Sequence, residues 1–373
     1  MSQPFRFGIV GGGQLGRMLA QAGAALNARF TFLDPSDSPC GRVHGHHLCA
    51  DWQDDAALTQ LVAASDAITF EFENVPADAV ARLAAERPTF PPAGALDTAR
   101  DRWSEKSLFM RLGIEVPPLA LVDSQADLEA GVATIGLPAV LKTRTLGYDG
   151  KGQKVLREMA DGADTFAELG SVPLILEGFI AFDHEVSVIA VRGRDGETRA
   201  WPLSRNEHRS GILHCSTPLD SHGLQAEAEA AAFKVMHELD YVGVMAFEFF
   251  VVKDADGSER LLANEIAPRV HNSGHWSIEG AVTSQFENHL RAVAGMPLGE
   301  TALLTPCAML NIIGRMPERD AVLAIPGARL HDYGKAPRAG RKIGHITLLA
   351  ADKASLDARI AAVEALLVNE LGK

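Results

Sequence analysis

The stretch GVMAFEFFVVKDADGSERLLANEIA, residues 243–267, places two strongly apolar segments, about 243–252 and 260–266, on either side of a short polar link. Asp256-Gly257 within that link is a strong two-residue turn signal, because a type I′ turn needs positive φ at both central positions. A hairpin symmetric about this dipeptide sets Glu248 directly opposite Glu265, with β-carbons about 4.5–5.5 Å apart. Like charges so placed destabilise a sheet. These two also lie among Met245, Phe247, Phe249, Leu261 and Leu262, where an ionised carboxylate is costly to desolvate. A cation between them removes both objections. Hard oxygen ligands suit Mg²⁺, or Mn²⁺ in its place, with waters and nucleotide phosphates completing the shell. The plain alternative is a pair of glutamates on an exposed face, neutralised by arginines.

Immediately downstream, Pro268 ends regular pairing, and Arg269, His271 and Asn272 crowd donors into one loop. Such groups suit a phosphate or bicarbonate; a solvated loop is the alternative.

Upstream, Gly147-Tyr148-Asp149-Gly150-Lys151-Gly152-Gln153 sets three glycines among charged residues. Glycines let backbone N–H groups approach phosphate oxygens and give a closing lid its mobility, although the pattern is not a Walker A loop and also fits a surface turn. Lys142 ends the apolar run 138–141, Glu177 ends another, and Glu185 interrupts a third. Together they suggest one cleft, though each alone reads as a solvated strand end.

At the N-terminus, Gly11-Gly12-Gly13-Gln14-Leu15-Gly16 fits GxGxxG between a strand and a helix, and Asp34 follows 18 residues after Gly16. This is the dinucleotide fingerprint in its proper setting, so an NAD-dependent dehydrogenase is the competing class. Helix N-termini bind any phosphate, and the loop is read here as a site for a substrate's phosphate. Glu71 and Glu73 alternate with Phe70 and Phe72 at a strand end; Glu73 with Asn74 suits ribose hydroxyls or, equally, a helix cap. His44, His46, His47 and Cys49 match no standard zinc spacing.

Around these motifs the chain is ordinary for a globular protein: 373 residues, 47% apolar and 22% charged. A formal charge of −13 argues against nucleic acid as a partner. No apolar run approaches the roughly 18 residues of a membrane span. The N-terminus lacks the marks of a signal peptide, and the four cysteines form no CxxC pair; the cytoplasm is expected. Strand–helix alternation over the first ninety or so residues predicts a parallel sheet, and Pro88, Pro91, Pro92 and Gly94 mark a boundary.

Read together, GGGQLGRM, GYDGKGQ, the FEFF strand and NEIAPRVHNSGHWS resemble the 5-(carboxyamino)imidazole ribonucleotide synthases of the ATP-grasp superfamily, from about residue 6 to the C-terminal helix. The resemblance implies an α/β and α+β architecture. A Rossmann-like domain (1–98) precedes an ATP-grasp region (99–305; lid about 120–190, catalytic part about 191–305) and a C-terminal extension packing on it (306–373). It implies ATP- and bicarbonate-dependent carboxylation of 5-aminoimidazole ribonucleotide in purine biosynthesis, by a homodimer. Glu248 and Glu265 then look like the metal ligands. Arg102, Lys142, the Gly147–Gln153 loop, Glu177, Gly178, Phe179, Ile180, Glu185, His208, Asn264 and Glu265 look like the ATP pocket. Tyr148, Asp149, Lys151, Arg269, His271 and Asn272 resemble the catalytic groups. Gly13, Gln14, Leu15, Glu73, Asn74, Lys335, Arg341 and Lys342 resemble the ribonucleotide's contacts. Lys151 stands where some members carry arginine and Val270 where proline is common.

Overall fold

Short apolar runs alternating with helices build a parallel sheet at the start of the chain. The computed structural model describes residues 3–145, 152–162 and 164–368, and three sheets form among them. The first takes β1 (Arg6–Val10), β2 (Arg29–Asp34), β3 (His46–Cys49) and β4 (Ala67–Phe70) in the order β3-β2-β1-β4. Helices α1 (Gln14–Gly23), α2 (Asp55–Ala64) and α3 (Ala77–Glu86) serve it, and α4 (Ala93–Arg100) and α5 (Arg102–Arg111) lead onward. All pairings are parallel, so the fingerprint loop and Glu71 both leave the carboxyl edge of the sheet, where open α/β sheets gather ligands.

The second sheet is small and antiparallel, in the order β5-β8-β6-β7. It contains β5 (Leu119–Val122), β6 (Ala139–Thr143), β7 (Gln153–Leu156) and β8 (Leu174–Gly178), with α6 (Gln125–Ile135) and the single turn α7 (Thr165–Glu168). Leu128 and Val132 of α6 bury against Leu174 and Leu176.

The third sheet holds the hairpin. Its strands are β9 (His184–Arg192), β10 (Thr198–Ala200), β11 (Ser204–Arg209), β12 (Ile212–Pro218), β13 (Gly243–Lys253) and β14 (Glu259–Ala267). Its helices are α8 (Gln225–Glu238), α9 (Ser277–Gly280) and α10 (Gln285–Ala294). The tail adds β15 (Cys307–Ile313), α11 (Arg319–Leu323), β16 (Ala328–Asp332), β17 (Lys342–Leu349) and α12 (Lys353–Glu364). The order β14-β13-β9-β11-β12-β15-β17-β16 makes the tail a continuation of the sheet rather than a layer packed on it. Helix α10 lies between this sheet and the first one, where Phe286 and Leu290 share a core with Phe7 and Phe30. No helix among the described residues is long and apolar enough to cross a membrane.

Candidate active site

The hairpin turn differs from expectation. Asp254 N–H donates to Ser258 O at 2.9 Å, Gly257 N–H donates to Asp254 O at 2.9 Å, and Gly257 has φ +85°. Asp256 keeps out of the left-handed region and its carboxylate accepts from Ser258 N–H and Oγ–H. This is a three-residue loop, a type I turn closed by a left-handed glycine, not the type I′ turn that Asp256-Gly257 suggested. The shift would set Glu248 opposite Asn264. A β-bulge beside Glu248 and Phe249 leaves Asn264 as the extra residue, and Glu248 pairs with Glu265 after all. Two departures from a regular hairpin cancel.

Burial, and next the facing charge of Glu265, push the Glu248 carboxyl up to about 7. Its side chain is 13% exposed and His271 Nε2 stands 3.4 Å from Oε1. Ser273 N–H donates to His271 Nδ1, so the imidazole carries its proton on Nε2, toward Glu248. Burial, with Arg269 next, keeps His271 well below its ordinary pKa and neutral. On the other carboxylate, Arg102 Nη1 lies 3.2 Å from Glu265 Oε2, as the arginine-neutralised alternative anticipated for one partner.

Around the pair runs a chain of charges. Lys142, near the end of β6, donates to Glu177 Oε2 on β8 at 2.8 Å. Burial opposes ionisation of Glu177, but Lys106 and Lys142 outweigh it and draw the carboxyl down to about 2. Its other oxygen finds no hydrogen-bond partner among the described residues. Gly178 N–H and Phe179 N–H donate to Pro118 O and Pro138 O, so Glu177–Ile180 crosses the mouth of the small sheet with Phe179 exposed. His208 Nδ1 lies 2.7 Å from Glu185 Oε2. Gly147, Tyr148, Asp149, Gly150 and Lys151 lie outside the described residues. Gly152 has φ +70°, its carbonyl accepts from Thr143 N–H, and Gln153 pairs with Lys142.

Toward the N-terminal sheet, Arg269 meets Glu73 (Nε–Oε2 2.5 Å), and Lys335 Nζ donates to Gln14 Oε1. Lys342 opens β17, and its charge acts on Glu248, His208 and His271, which places it on the carboxylate side of the cleft. Arg341 reaches Ala336 O at 3.3 Å. Asn74 stands half-buried beside Glu73.

Two expectations change here. Gly13 N–H and Gly16 N–H both donate to the Glu71 carboxylate, and Gly12 N–H donates to Asp34 Oδ2 at 2.7 Å. Of the residues expected to meet a phosphate, Gly13 therefore spends its amide on the chain's own Glu71, with Gly12 and Gly16 beside it equally engaged, since Glu71 leaves the sheet edge pointing into the start of α1. Leu15 likewise turns its side chain into the core, leaving only its backbone near the cleft.

Sequence reasoning missed several members. Asn311 exchanges amide hydrogen bonds with Asn272 (2.6 and 3.1 Å) and donates to Leu213 O at 2.7 Å; an apolar strand context hid it. Arg17, one turn into α1, shares its electrostatic surroundings with Arg341, Lys335 and Cys40, and its place in the GGGQLGRM run was the available signal. Glu105 and Lys106 are nearly inaccessible, and no residue pattern around them singled them out.

A small antiparallel sheet and a larger one, with paired acids on the larger sheet and lysine and arginine contacts beside them, define an ATP-grasp ligase. Three family models match in series: a ribonucleotide synthetase preATP-grasp domain over residues 5–100, an ATP-grasp domain over 107–286, and a phosphoribosylaminoimidazole carboxylase C-terminal domain over 307–359. The chain belongs to the N5-carboxyaminoimidazole ribonucleotide synthase family. It is 60% identical to the synthase of Pseudomonas aeruginosa over 97% of this chain and 99% of that one. The crystal structure of the Thermus thermophilus synthetase is 49% identical with a TM-score of 0.92, covering 98% of this chain and 100% of that one. The Aspergillus clavatus synthase, solved with ADP and 5-aminoimidazole ribonucleotide, has a TM-score of 0.89 at 29% identity and covers 98% and 99%.

Proposed function

We propose that this chain carboxylates the exocyclic amine of 5-aminoimidazole ribonucleotide with ATP and bicarbonate, by way of carboxyphosphate, releasing ADP and phosphate. The observation that carries the reading is the in-register Glu248–Glu265 pair, set between the Lys142–Glu177 contact on one side and the Glu73–Arg269 contact on the other. The relative solved with ADP and the ribonucleotide together supports the choice of substrates.

A divalent ion fits the donors present: two facing carboxylates, one of them raised by burial and by its neighbour's charge. Glu248 and Glu265 would hold Mg²⁺, which when bound neutralises the terminal phosphates. Lys142 and Arg102 add positive charge where the γ-phosphoryl departs. Arg269, His271 and Asn272 receive bicarbonate, whose oxygen attacks phosphorus as the bond to ADP breaks. Neutral His271 donates from Nε2 without adding charge. The 147–153 loop, with Tyr148, Asp149 and Lys151, closes over the labile intermediate and excludes water. The amine nitrogen then attacks the carboxyl carbon, phosphate leaves, and the amine proton passes to it, with Asp149 orienting the amine. Lys335, Arg341 and Gln14 hold the ribonucleotide phosphate, and Glu73 and Asn74 lie near its ribose. The enzyme would act as a cytoplasmic homodimer.

Phosphate release from ATP decides the matter. It is expected to require bicarbonate, 5-aminoimidazole ribonucleotide and Mg²⁺ together, and to stop on chelation. Faster release with a different amine or acid would overturn the substrate assignment and leave the ligase class standing.

A further inference from the structure

The register that brings Glu248 and Glu265 face to face depends on one extra residue, Asn264. With the register set by the turn alone, Glu265 would pair with Phe247 and point to the other face of the sheet, because one residue of slip reverses every side chain. Strand β14 is also the last in its sheet, so no further strand fixes the bulge from outside. Helix α5 does so instead. Lys106, 1% exposed, donates from Nζ to Ala263 O at 3.1 Å and to Asn264 O. Its neighbour Glu105, 2% exposed, accepts from Ile266 N–H at 2.7 Å. Ala263 N–H donates to Glu115 O at 2.8 Å. Two adjacent side chains thus grip the backbone on both sides of Glu265.

We infer that Glu105 and Lys106 are positioning residues for the metal-binding carboxylates: they hold the Asn264 bulge and so keep Glu265 on the face of Glu248. The inference rests on Glu248 and Glu265 being the metal ligands. Supports of this kind commonly change metal affinity by about 10- to 100-fold when removed.

The test titrates Mn²⁺ into the ADP-loaded protein, free Mn²⁺ being read by electron paramagnetic resonance, and follows hydrogen exchange of the 263–267 segment. Glu105→Leu and Lys106→Met are expected to raise half-saturating Mn²⁺ at least about tenfold and to speed exchange at Ile266. Glu105→Gln, which keeps a carbonyl acceptor for Ile266 N–H, is expected to stay within about twofold on both readouts. A packing role predicts the reverse, with Leu tolerated and Gln costly. The clamp is overturned if Glu105→Leu binds Mn²⁺ and exchanges like the parent, or if Leu and Gln lose equally; this pair decides even should Lys106→Met fail to fold. Glu248→Gln serves as the control. Unchanged Mn²⁺ binding there removes the metal reading, while exchange at Ile266 separately decides whether the clamp exists.

Discussion

Glu73, just beyond β4, and Arg269, just beyond β14, form a two-point ion pair across the seam between the N-terminal and catalytic sheets, with Nε–Oε2 at 2.5 Å and Nη2–Oε1 at 3.3 Å. Burial raises the Glu73 pKa, but Arg269 outweighs it and holds the carboxyl below its ordinary value. The pair ties the end of β4 to the loop carrying His271 and Asn272.

Arg269→Met leaves Glu73 without its fork-shaped partner, and kcat/KM for the ribonucleotide is expected to fall about 100-fold or more. Arg269→Lys keeps the charge and loses the two-point geometry, so it should fall between. Steady-state kinetics with the ribonucleotide varied would show it; a methionine variant within threefold of the parent contradicts the role.

Glu177 gives an acid limit. Its pKa of about 2 lies below the ordinary 4.5, so as pH drops the unfolded chain binds this proton first. The stabilisation is complete above about pH 4.5 and is lost as pH falls toward 2, on the order of 3 kcal/mol in all. Glu177→Gln should flatten urea-measured stability across that window and raise half-saturating ATP about tenfold through a less firmly held Lys142. An unaltered acid profile would refute the assignment.

His289 sets a second window at higher pH. Its Nδ1 accepts from Val244 N–H at 3.1 Å, so Nε2–H donates to Thr69 Oγ1 at 2.7 Å, and burial lowers its pKa to about 4. The unfolded chain protonates this histidine near 6.5 while the folded one does not, so stability declines as pH falls from 6.5 to 4. His289→Gln should remove most of that slope. Gly243→Ala attacks the same spot: φ is +115° and a new Cβ would lie 3.0 Å from His289 Cε1. A loss of about 2 kcal/mol or more is expected, read by chemical unfolding at pH 7.

Glu71→Ala uncovers the Gly13 and Gly16 amides at the start of α1. The variant should be less stable by about 1–3 kcal/mol, and inorganic phosphate at millimolar concentration should recover part of that loss by entering the helix N-terminus. Thermal melts with and without phosphate compare the two proteins. An identical phosphate effect on parent and variant would mean the amides are not what Glu71 covers.

Much of the frame was readable because it rests on periodicity and punctuation: β1, α1, β2, α2 and β4 follow from apolar alternation, and the 101–112 helix from its glycine stop. The residues near Gly280–Ala294 read as one helix from the sequence; it begins instead at Gln285, where Ser284 caps it by accepting from Glu287 N–H. Helices α3, α4 and α6 and strands β3, β5, β11 and β12 escaped because alanine-rich or polar stretches carry weak patterns that packing overrides. The Glu248–Glu265 pairing was reached through a turn type the chain does not adopt, since no residue pattern announces a bulge at Asn264. Glu71 was equally hidden: a carboxylate capping its own glycine loop is a three-dimensional coincidence of β4 and α1, whereas a fingerprint is written in one stretch of chain.

The interleaved strand order of the large sheet bears on how the protein is made. Strand β12, ending at Pro218, takes its outer neighbour from β15, which starts at Cys307. During synthesis the inner strands must wait, one flank bare, while some ninety further residues leave the ribosome. Shortening the gene before that point would not yield a leaner ligase; it would strand an adhesive border in water.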